Sequence, residues 1–154
     1  MSIFPDYSAC RSDNTILLSV KPRFADLIVQ GSKRVELRRS IPARPVGTIV
    51  IYSSSPMQCI VALADIKEII EVSPLKLWSV SQMNGGGLTK AELLNYFALK
   101  ETGFALMLEN VRTFKKPINP TKIFETFTAP QSFKYLSSKE LQKLKAMKPQ
   151  RIDQ

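Results

Sequence analysis

Histidine is absent from this chain of 154 residues, and cysteine and tryptophan are scarce, at two residues and one. Without histidine, the protein cannot form a Ser-His-Asp or Cys-His triad, use a histidine general base or bind a metal through imidazole. Cys10 and Cys59 form no CxxC pair, so we predict no disulfide scaffold, no cysteine metal site and no bound cofactor. Any catalysis must use Lys, Glu, Asp, Tyr, Ser or Cys.

Long apolar runs are also missing from the chain. No stretch approaches the roughly 20 apolar residues that a membrane-spanning helix needs. The N-terminal residues lack the basic start followed by an apolar stretch that is typical of a secretory signal. With 44% hydrophobic residues, the chain is long enough to bury one core. We therefore expect one soluble domain in a reducing cytoplasm.

Positive charge is abundant and unevenly placed. The chain has 22 basic and 13 acidic residues, a formal net charge of +9. Residues 21–44 carry +5 (seven basic, two acidic) and residues 111–154 carry +7 (ten basic, three acidic). Such an excess favours polyanionic partners, nucleic acid first and an anionic membrane surface second, because phosphate neutralisation releases counterions. For residues 139–151 we favour the alternative interpretation, a solvated helix surface with a basic tail.

Apolar periodicity and turn residues predict an α+β domain. Residues 1–14 form an irregular arm, and residues 15–20 form a short apolar strand. Pro22 begins an amphipathic helix that Gly31 ends, and residues 33–39 alternate as a strand. The later predicted elements are a strand at 48–52, its hairpin partner at about 58–70, helices beginning at Ser73 and Thr89, a strand at 103–114 with chain breaks at Pro117 and Pro120, and a basic helix from Ser137. A small mixed barrel is the expected closure.

Two short segments carry more specific expectations. On the strand at 33–39, the period of two places Glu36 between Arg34 and Arg38 on the polar face. The run of residues 84–87, Asn-Gly-Gly-Gly, lacks both the Gly-x-Gly-x-x-Gly spacing and the Gly-Lys-Ser/Thr ending of phosphate loops. We interpret this run as a flexible connector.

The helix and strand near the N-terminus carry a family resemblance. Gly31, Lys33, Glu36 and Arg38 match a Gly-x-Lys-x-x-Glu-x-Arg signature, and the run Leu-Ser-Val-Lys-Pro-Arg-Phe-Ala at residues 18–25 precedes it. Together they resemble the ASCH domain (activating signal cointegrator homology) of the PUA-like superfamily. The signature lies at a predicted helix-to-strand junction, as this resemblance requires.

The resemblance extends over most of the chain. Residues 51–56 and 129–136 resemble segments of bacterial stand-alone members, some of which are predicted transcriptional regulators. The similar region covers residues 15–137 and leaves residues 138–154 as a basic C-terminal helix and tail. It implies a small PUA-like mixed β-barrel flanked by short helices, with the signature lining a cleft for RNA or a nucleobase-like ligand.

Polar residues in and around the signature are the candidate site residues. Lys33 could place a point charge on a phosphate, and Arg38 could offer a planar fork to a phosphate or a guanine edge. Glu36 would hold an arginine in place or accept hydrogen bonds from base amino groups; an ion pair with Arg38 without a ligand role is the alternative. The other candidates are anion ligands, hydroxyl donors and base-reading groups: Lys21, Arg23, Ser53, Ser54, Gln131, Ser132 and Tyr135.

These residues support three functional hypotheses. The first is a nucleic-acid-binding domain, above all for RNA, in a regulatory role. The second is a hydrolase of RNA or of a modified nucleoside with Lys33 and Glu36 as the reacting groups, since some ASCH proteins are similar to ribonucleases and some hydrolyse N4-acetylcytidine with a lysine that Lys33 matches. Glu36 stands where those amidases have threonine, a departure from their pattern. The third is a sensor of a nucleoside-like small molecule. We expect no membrane partner.

Overall fold

The computed structural model describes residues 14–152, which contain seven strands and four helices. Cys10 and the predicted arm, apart from Asn14, lie outside that range. The mixture of elements confirms the predicted α+β class. The elements are β1 (Thr15–Val20), α1 (Pro22–Gln30), β2 (Val35–Arg38), β3 (Thr48–Ser53), β4 (Cys59–Val72), α2 (Pro74–Met83), α3 (Lys90–Tyr96), β5 (Gly103–Ile118), a 3-10 turn (Pro120–Lys122), β6 (Phe133–Tyr135), α4 (Ser138–Ala146) and β7 (Gln150–Arg151).

The strands form one mixed sheet that curves into a half-barrel. The strand order is β2-β5-β4-β3-β1-β6, and β7 pairs with β5. Strands β1 and β3 run parallel, whereas β3 and β4 form the predicted antiparallel hairpin. The pairing of β4 with β5 changes register at three places. Such bulges bend a strand and increase its twist, which explains the curvature.

Arg38 joins the two edges of the sheet at one end of the half-barrel. It lies in edge strand β2, and its guanidinium donates to the Ser19 carbonyl of β1 at 3.1 Å and to the Ser132 hydroxyl at 2.8 Å. Ser132 immediately precedes Phe133, the first residue of the opposite edge strand β6. The Arg38 side chain therefore connects β2 to β1 and to the residue before β6, although β2 forms no backbone hydrogen bonds with either strand.

Apolar clusters on both sides of the sheet hold the helices. Successive residues of β1 face opposite sides, so Ile16 packs in the interior with Ile28 of α1, whereas Leu17 packs outside with Leu144 of α4. A third cluster holds α2 and α3 against β2, with Leu77 at its centre. Each fully buried aliphatic side chain contributes about 1.5–3 kcal/mol. No helix in residues 14–152 is long and apolar enough to cross a bilayer.

Local capping signals predicted the helix ends well. Gly31, at φ +88°, ends α1 in the left-handed conformation, and both Thr89 and Ser137 form complete capping boxes. The predicted break at Pro117 is wrong, because β5 continues to Ile118. Pro117 lies within a register irregularity of β5, where the strand does not need the N–H that proline lacks.

Candidate functional site

A cleft of about 810 Å³ opens at the end of the half-barrel that Arg38 closes. Its walls come from the start of α1, from α3, from the turn between β3 and β4, and from residues 129–132, while β2 supplies the floor. The charged lining residues comprise five cations and two carboxylates: Lys21, Arg23, Lys33, Arg38, Arg39, Glu36 and Glu92. The cleft is thus a basic pocket with a carboxylate at its floor.

Glu36 lies between two cations on that floor. Its Oε1 is 3.9 Å from Lys33 Nζ, and its Oε2 is 3.7 Å from Arg38 NH1. Both distances exceed ordinary hydrogen-bond length. The predicted arrangement is wrong on one side, because Arg34 lines a separate cavity of about 500 Å³. Strand β2 begins only at Val35, so the alternation that should place Arg34 beside Glu36 does not reach it.

Lys33 is buried, with 2% of its surface exposed. Its ammonium donates to the Gly86 carbonyl and lies 4.8 Å from the centre of the Phe24 ring. Burial lowers the pKa of Lys33; the nearby Glu36 carboxylate acts in the opposite direction, and Arg23 lowers this pKa further. Lys33 is therefore a fixed, desolvated group, and its burial was not visible in the sequence.

The glycine run at residues 84–87 holds Lys33 in place, so the flexible connector that we predicted is wrong. Gly86 supplies the carbonyl that accepts from Lys33. A Cβ on Gly85 would lie 1.8 Å from the Ser32 carbonyl oxygen, a distance that no side chain tolerates. The physical reason is that glycine permits close approach of two backbones as well as flexibility.

Most of the other predicted site residues line the cleft, and two do not. Ser53 is buried at the end of β3, and its hydroxyl has no hydrogen-bond partner among the described residues. The Tyr135 hydroxyl exchanges hydrogen bonds with the backbone of Arg44, whose guanidinium covers the ring at 4.0 Å. Neither side chain lines the cleft. The predicted residues that line it besides the motif are Lys21, Arg23, Ser54, Gln131 and Ser132.

The sequence alone did not reveal the wall that α3 contributes. Glu92 caps α3 and forms an ion pair with Arg23 of α1. The Thr89 backbone N–H, and then Arg23, lower the pKa of Glu92. Tyr96 lies 4.6 Å below the Arg39 guanidinium. Helix α3 lies more than 50 residues beyond the signature, so no local sequence spacing could place it beside the signature. The sequence revealed only the capping box at the start of α3.

Ser132 and Tyr52 are two of the hydroxyl-bearing residues that line the cleft. Ser132 accepts a hydrogen bond from Arg38, and Tyr52 lies buried at the end of β3. Burial raises the pKa of the Tyr52 hydroxyl, and the neighbouring Cys59 adds to the effect. Cys59 is a free, buried thiol. Residues 14–152 contain no cluster of three or more Cys, Asp or Glu residues that could hold a metal ion.

These features define a PUA-like α+β protein with a basic cleft at the mouth of its half-barrel. The ASCH domain model matches residues 18–118, so the chain belongs to the ASCH domain family, as its signature indicated. A relative from Zymomonas mobilis, named an ASCH domain-containing ribonuclease, is 31% identical over 138 residues, which span 87% of this chain and 92% of that protein.

Solved structures agree with this assignment. The crystal structure of ASCH from Zymomonas mobilis has a TM-score of 0.79 at 29% identity and covers 89% of this chain and 96% of that one. The N-terminal domain of Staphylothermus marinus McrB has a TM-score of 0.56 at 10% identity, covering 86% of this chain and 93% of that one. This second similarity extends to the fold alone.

Proposed function

We propose that this protein binds single-stranded RNA in the basic cleft. The observation that carries the proposal is that five cations line one cavity. They come from α1 and its N-cap residue, from β2 and from the residues that flank β2. Lys and Arg in a groove neutralise phosphates and release counterions. A cavity of about 810 Å³ suits nucleotides splayed out of a single strand better than a duplex. The name of the Zymomonas mobilis relative supports RNA as the polymer.

The exposed rim and the buried floor have different roles in this proposal. Lys21 and Arg23 are exposed at the rim, where they contact phosphates. Lys33 and Arg38 are held by backbone carbonyls at the floor, where they orient the polar groups that face a base. Reversing the charge of both floor residues would also break the contact of Lys33 with Gly86 and the contacts by which Arg38 joins the sheet edges. The rim therefore offers the sharper test.

The first experiment measures binding of a fluorescent single-stranded RNA across a salt series. We expect affinity to fall as salt rises, and the double change Lys21→Gln with Arg23→Gln to reduce the slope of log K against log salt by about 1.4, since each lost single-strand phosphate contact removes about 0.7. The matched control changes Lys139 and Lys145 of α4 to Gln, which removes the same charge away from the cleft. The control should retain the wild-type slope.

The outcomes of the salt series are distinct. Wild-type protein that does not bind RNA, or binds it without salt dependence, contradicts the proposal. An equal loss in the α4 control would mean that net charge alone drives binding. A metabolite thermal-shift panel tests the competing idea of a nucleoside sensor. Sequencing the RNA that copurifies with the protein tests a regulatory role, for which we expect a defined set of transcripts.

Cleavage of the bound RNA is a second candidate function. The desolvated amine of Lys33 and the hydroxyls of Tyr52 and Ser132 line the same cleft. This arrangement favours cleavage, together with the ribonuclease name of the relative. The 2′-hydroxyl of RNA attacks the adjacent phosphorus and loses its proton to the deprotonated fraction of Lys33, which burial enlarges. The bond from phosphorus to the 5′ oxygen breaks, and that oxygen takes a proton from Tyr52. The products are a 2′,3′-cyclic phosphate and a free 5′-hydroxyl.

A Lys33→Met variant tests this chemistry, because methionine keeps most of the stem and lacks the amine. We expect at least about 100-fold slower cleavage with RNA binding retained, and a wild-type rate that rises with pH as Lys33 loses its proton. The control Lys143→Met on α4 should cleave at the wild-type rate, and 2′-O-methyl RNA should resist. Full turnover by Lys33→Met would rule out this mechanism.

A further inference from the structure

Glu36 has hydrogen-bonding capacity that its own fold leaves unused. Among residues 14–152, its carboxylate contacts cations only at 3.7 and 3.9 Å, and it accepts no hydrogen bond from them. Only 7% of the side chain is exposed, yet Glu36 lines the cleft. The Glu36 oxygens are not among the fully buried side-chain atoms that lack a partner, so they face the cleft and stay within reach of water or of a ligand. A ligand in the cleft can therefore donate to both oxygens in place of water.

The polar neighbours of Glu36 are already engaged. Lys33 donates to the Gly86 carbonyl. Arg38 donates to the Ser19 carbonyl and to the Ser132 hydroxyl. These bonds fix both cations near the carboxylate, where they offset its charge. The remaining lone pairs of its two oxygens are then available from the cleft.

Carboxylate geometry selects among the four bases. Its two oxygens accept two parallel donors, as in its bidentate pairing with a guanidinium. On the Watson–Crick edge, guanine offers two adjacent donors, the N1–H and the N2 amino group. Adenine, cytosine and uracil each offer only one donor there, next to acceptors that a carboxylate repels. We propose that Glu36 recognises a guanine base of the bound RNA through N1–H and N2–H; this rests on the proposed RNA binding.

The hydrogen bonds that Arg38 makes within the fold argue against a second mode of guanine recognition, by an arginine. A free arginine fork would bind O6 and N7 on the Hoogsteen edge. Arg38 has committed its guanidinium to both edges of the sheet, so its fork is occupied. Arg39, whose guanidinium lies over Tyr96, lines the same cleft and supplies a planar surface on which the base can stack.

The test uses oligouridylate RNAs with one central G, A, C, inosine or 7-deazaguanine. We expect wild-type protein to prefer G over A and C by about tenfold or more, in the range of one bidentate base contact. Inosine lacks the N2 amino group and should lose most of that preference. 7-Deazaguanine keeps both donors and lacks only N7, so it should bind like guanine.

A Glu36→Gln variant provides a second test of guanine recognition by Glu36. Removing a negative charge raises affinity for all RNA, so the readout is the ratio of G to A affinity. Glutamine offers one acceptor and one donor, a pattern that matches adenine, and the ratio should fall to about one or below. Glu68→Gln removes a charge from an exposed residue of β4 that does not line the cleft, and should leave the ratio at the wild-type value.

The possible results separate the two proposals. RNA binding with equal affinity for guanine and inosine, or loss of preference with 7-deazaguanine, overturns the role of Glu36 and leaves RNA binding standing. An absence of RNA binding overturns the proposed function itself. If Glu36→Gln does not fold, as judged by circular dichroism, the inosine and 7-deazaguanine series with wild-type protein still decides the question. Binding of free GMP over IMP would show that the base suffices without a polymer.

Discussion

Lys33 shows how one residue acquires its chemistry from distant neighbours. Its membership of the Gly-x-Lys-x-x-Glu-x-Arg signature is visible in the sequence. Its contacts with Phe24 and Gly86 come from α1 and from the loop after α2. Burial among them favours the neutral amine, so Lys33 has the properties of a base or a fixed donor. A lysine at the same sequence position on an exposed strand would only attract phosphates.

Asp65 is a second residue whose environment sets its charge. Its carboxylate accepts hydrogen bonds from Arg112 at 3.0 Å, Asn110 at 2.8 Å and Thr48 at 3.2 Å. Burial alone would raise the pKa of Asp65, but these hydrogen bonds outweigh it and lower the pKa below its ordinary value. The ionised carboxylate therefore ties β3, β4 and β5 together.

This network predicts pH-dependent stability. Because the folded pKa of Asp65 is lowered, its contribution is complete above the unfolded value of about 3.9 and disappears as pH falls through the folded value. We expect Asp65→Asn to lower the free energy of unfolding by about 2 kcal/mol at pH 7, and by clearly less near pH 2.5. Urea denaturation at both pH values measures the difference. Glu68→Gln should change little at either pH, and an equal Asp65→Asn effect at both would contradict the network.

At the scale of elements, the loop between α2 and α3 is a structural support of the cleft. Its backbone passes so close to residues 32 and 33 that only glycine fits at position 85. It also accepts the hydrogen bond of Lys33 through Gly86. The glycine-rich segment at residues 84–87, whose composition is typical of a flexible linker, thus holds the Lys33 side chain in position.

Two glycine substitutions test this role. Gly31 and Gly85 both have positive φ, at +88° and +66°, but an added Cβ meets only the flexible Ile152 Cδ1 at 3.2 Å in the first case and backbone oxygen at 1.8 Å in the second. We expect Gly31→Ala to cost about 1 kcal/mol, and Gly85→Ala to cost at least about 2 kcal/mol more and to weaken RNA binding. Thermal melting and the RNA binding assay check both effects. Equal melting temperatures for the two variants would show that the loop is not held.

At the scale of the whole molecule, the sheet separates helix α1 of the first basic block from helix α4 of the second. Helix α1 packs in the interior cluster, whereas α4 packs through Leu144 in the outer one. The cations that line the cleft all come from residues 21–39, and none from residues 111–154. Lys139 and Lys143 border a different cavity, on the α4 side. The second basic block therefore supplies no cation to the cleft lining, and the interpretation of α4 as a solvated helix surface remains a prediction.

Local interactions explain which predictions from sequence succeeded. The caps at Gly31, Thr89 and Ser137, the hairpin of β3 with β4 and the family signature depend on residues close together in the chain. The side-chain arrangements that the sequence did not reveal depend on tertiary neighbours. Glu36 pairs with Lys33 instead of Arg34, and Tyr135 is covered by Arg44, because strand length and packing decide which side chains meet.

The sequence by itself determined the class of the fold, the starts of the four helices, the family and the presence of a Lys, Glu and Arg motif. Spacing, capping residues and turn preferences act over a few residues, so they can be read directly. Only the tertiary structure decided that Arg38 joins the sheet edges, that α3 supplies a wall and that Glu36 keeps free acceptor sites. Each of these depends on segments that are far apart in the chain and meet only when the curved sheet brings its edges together.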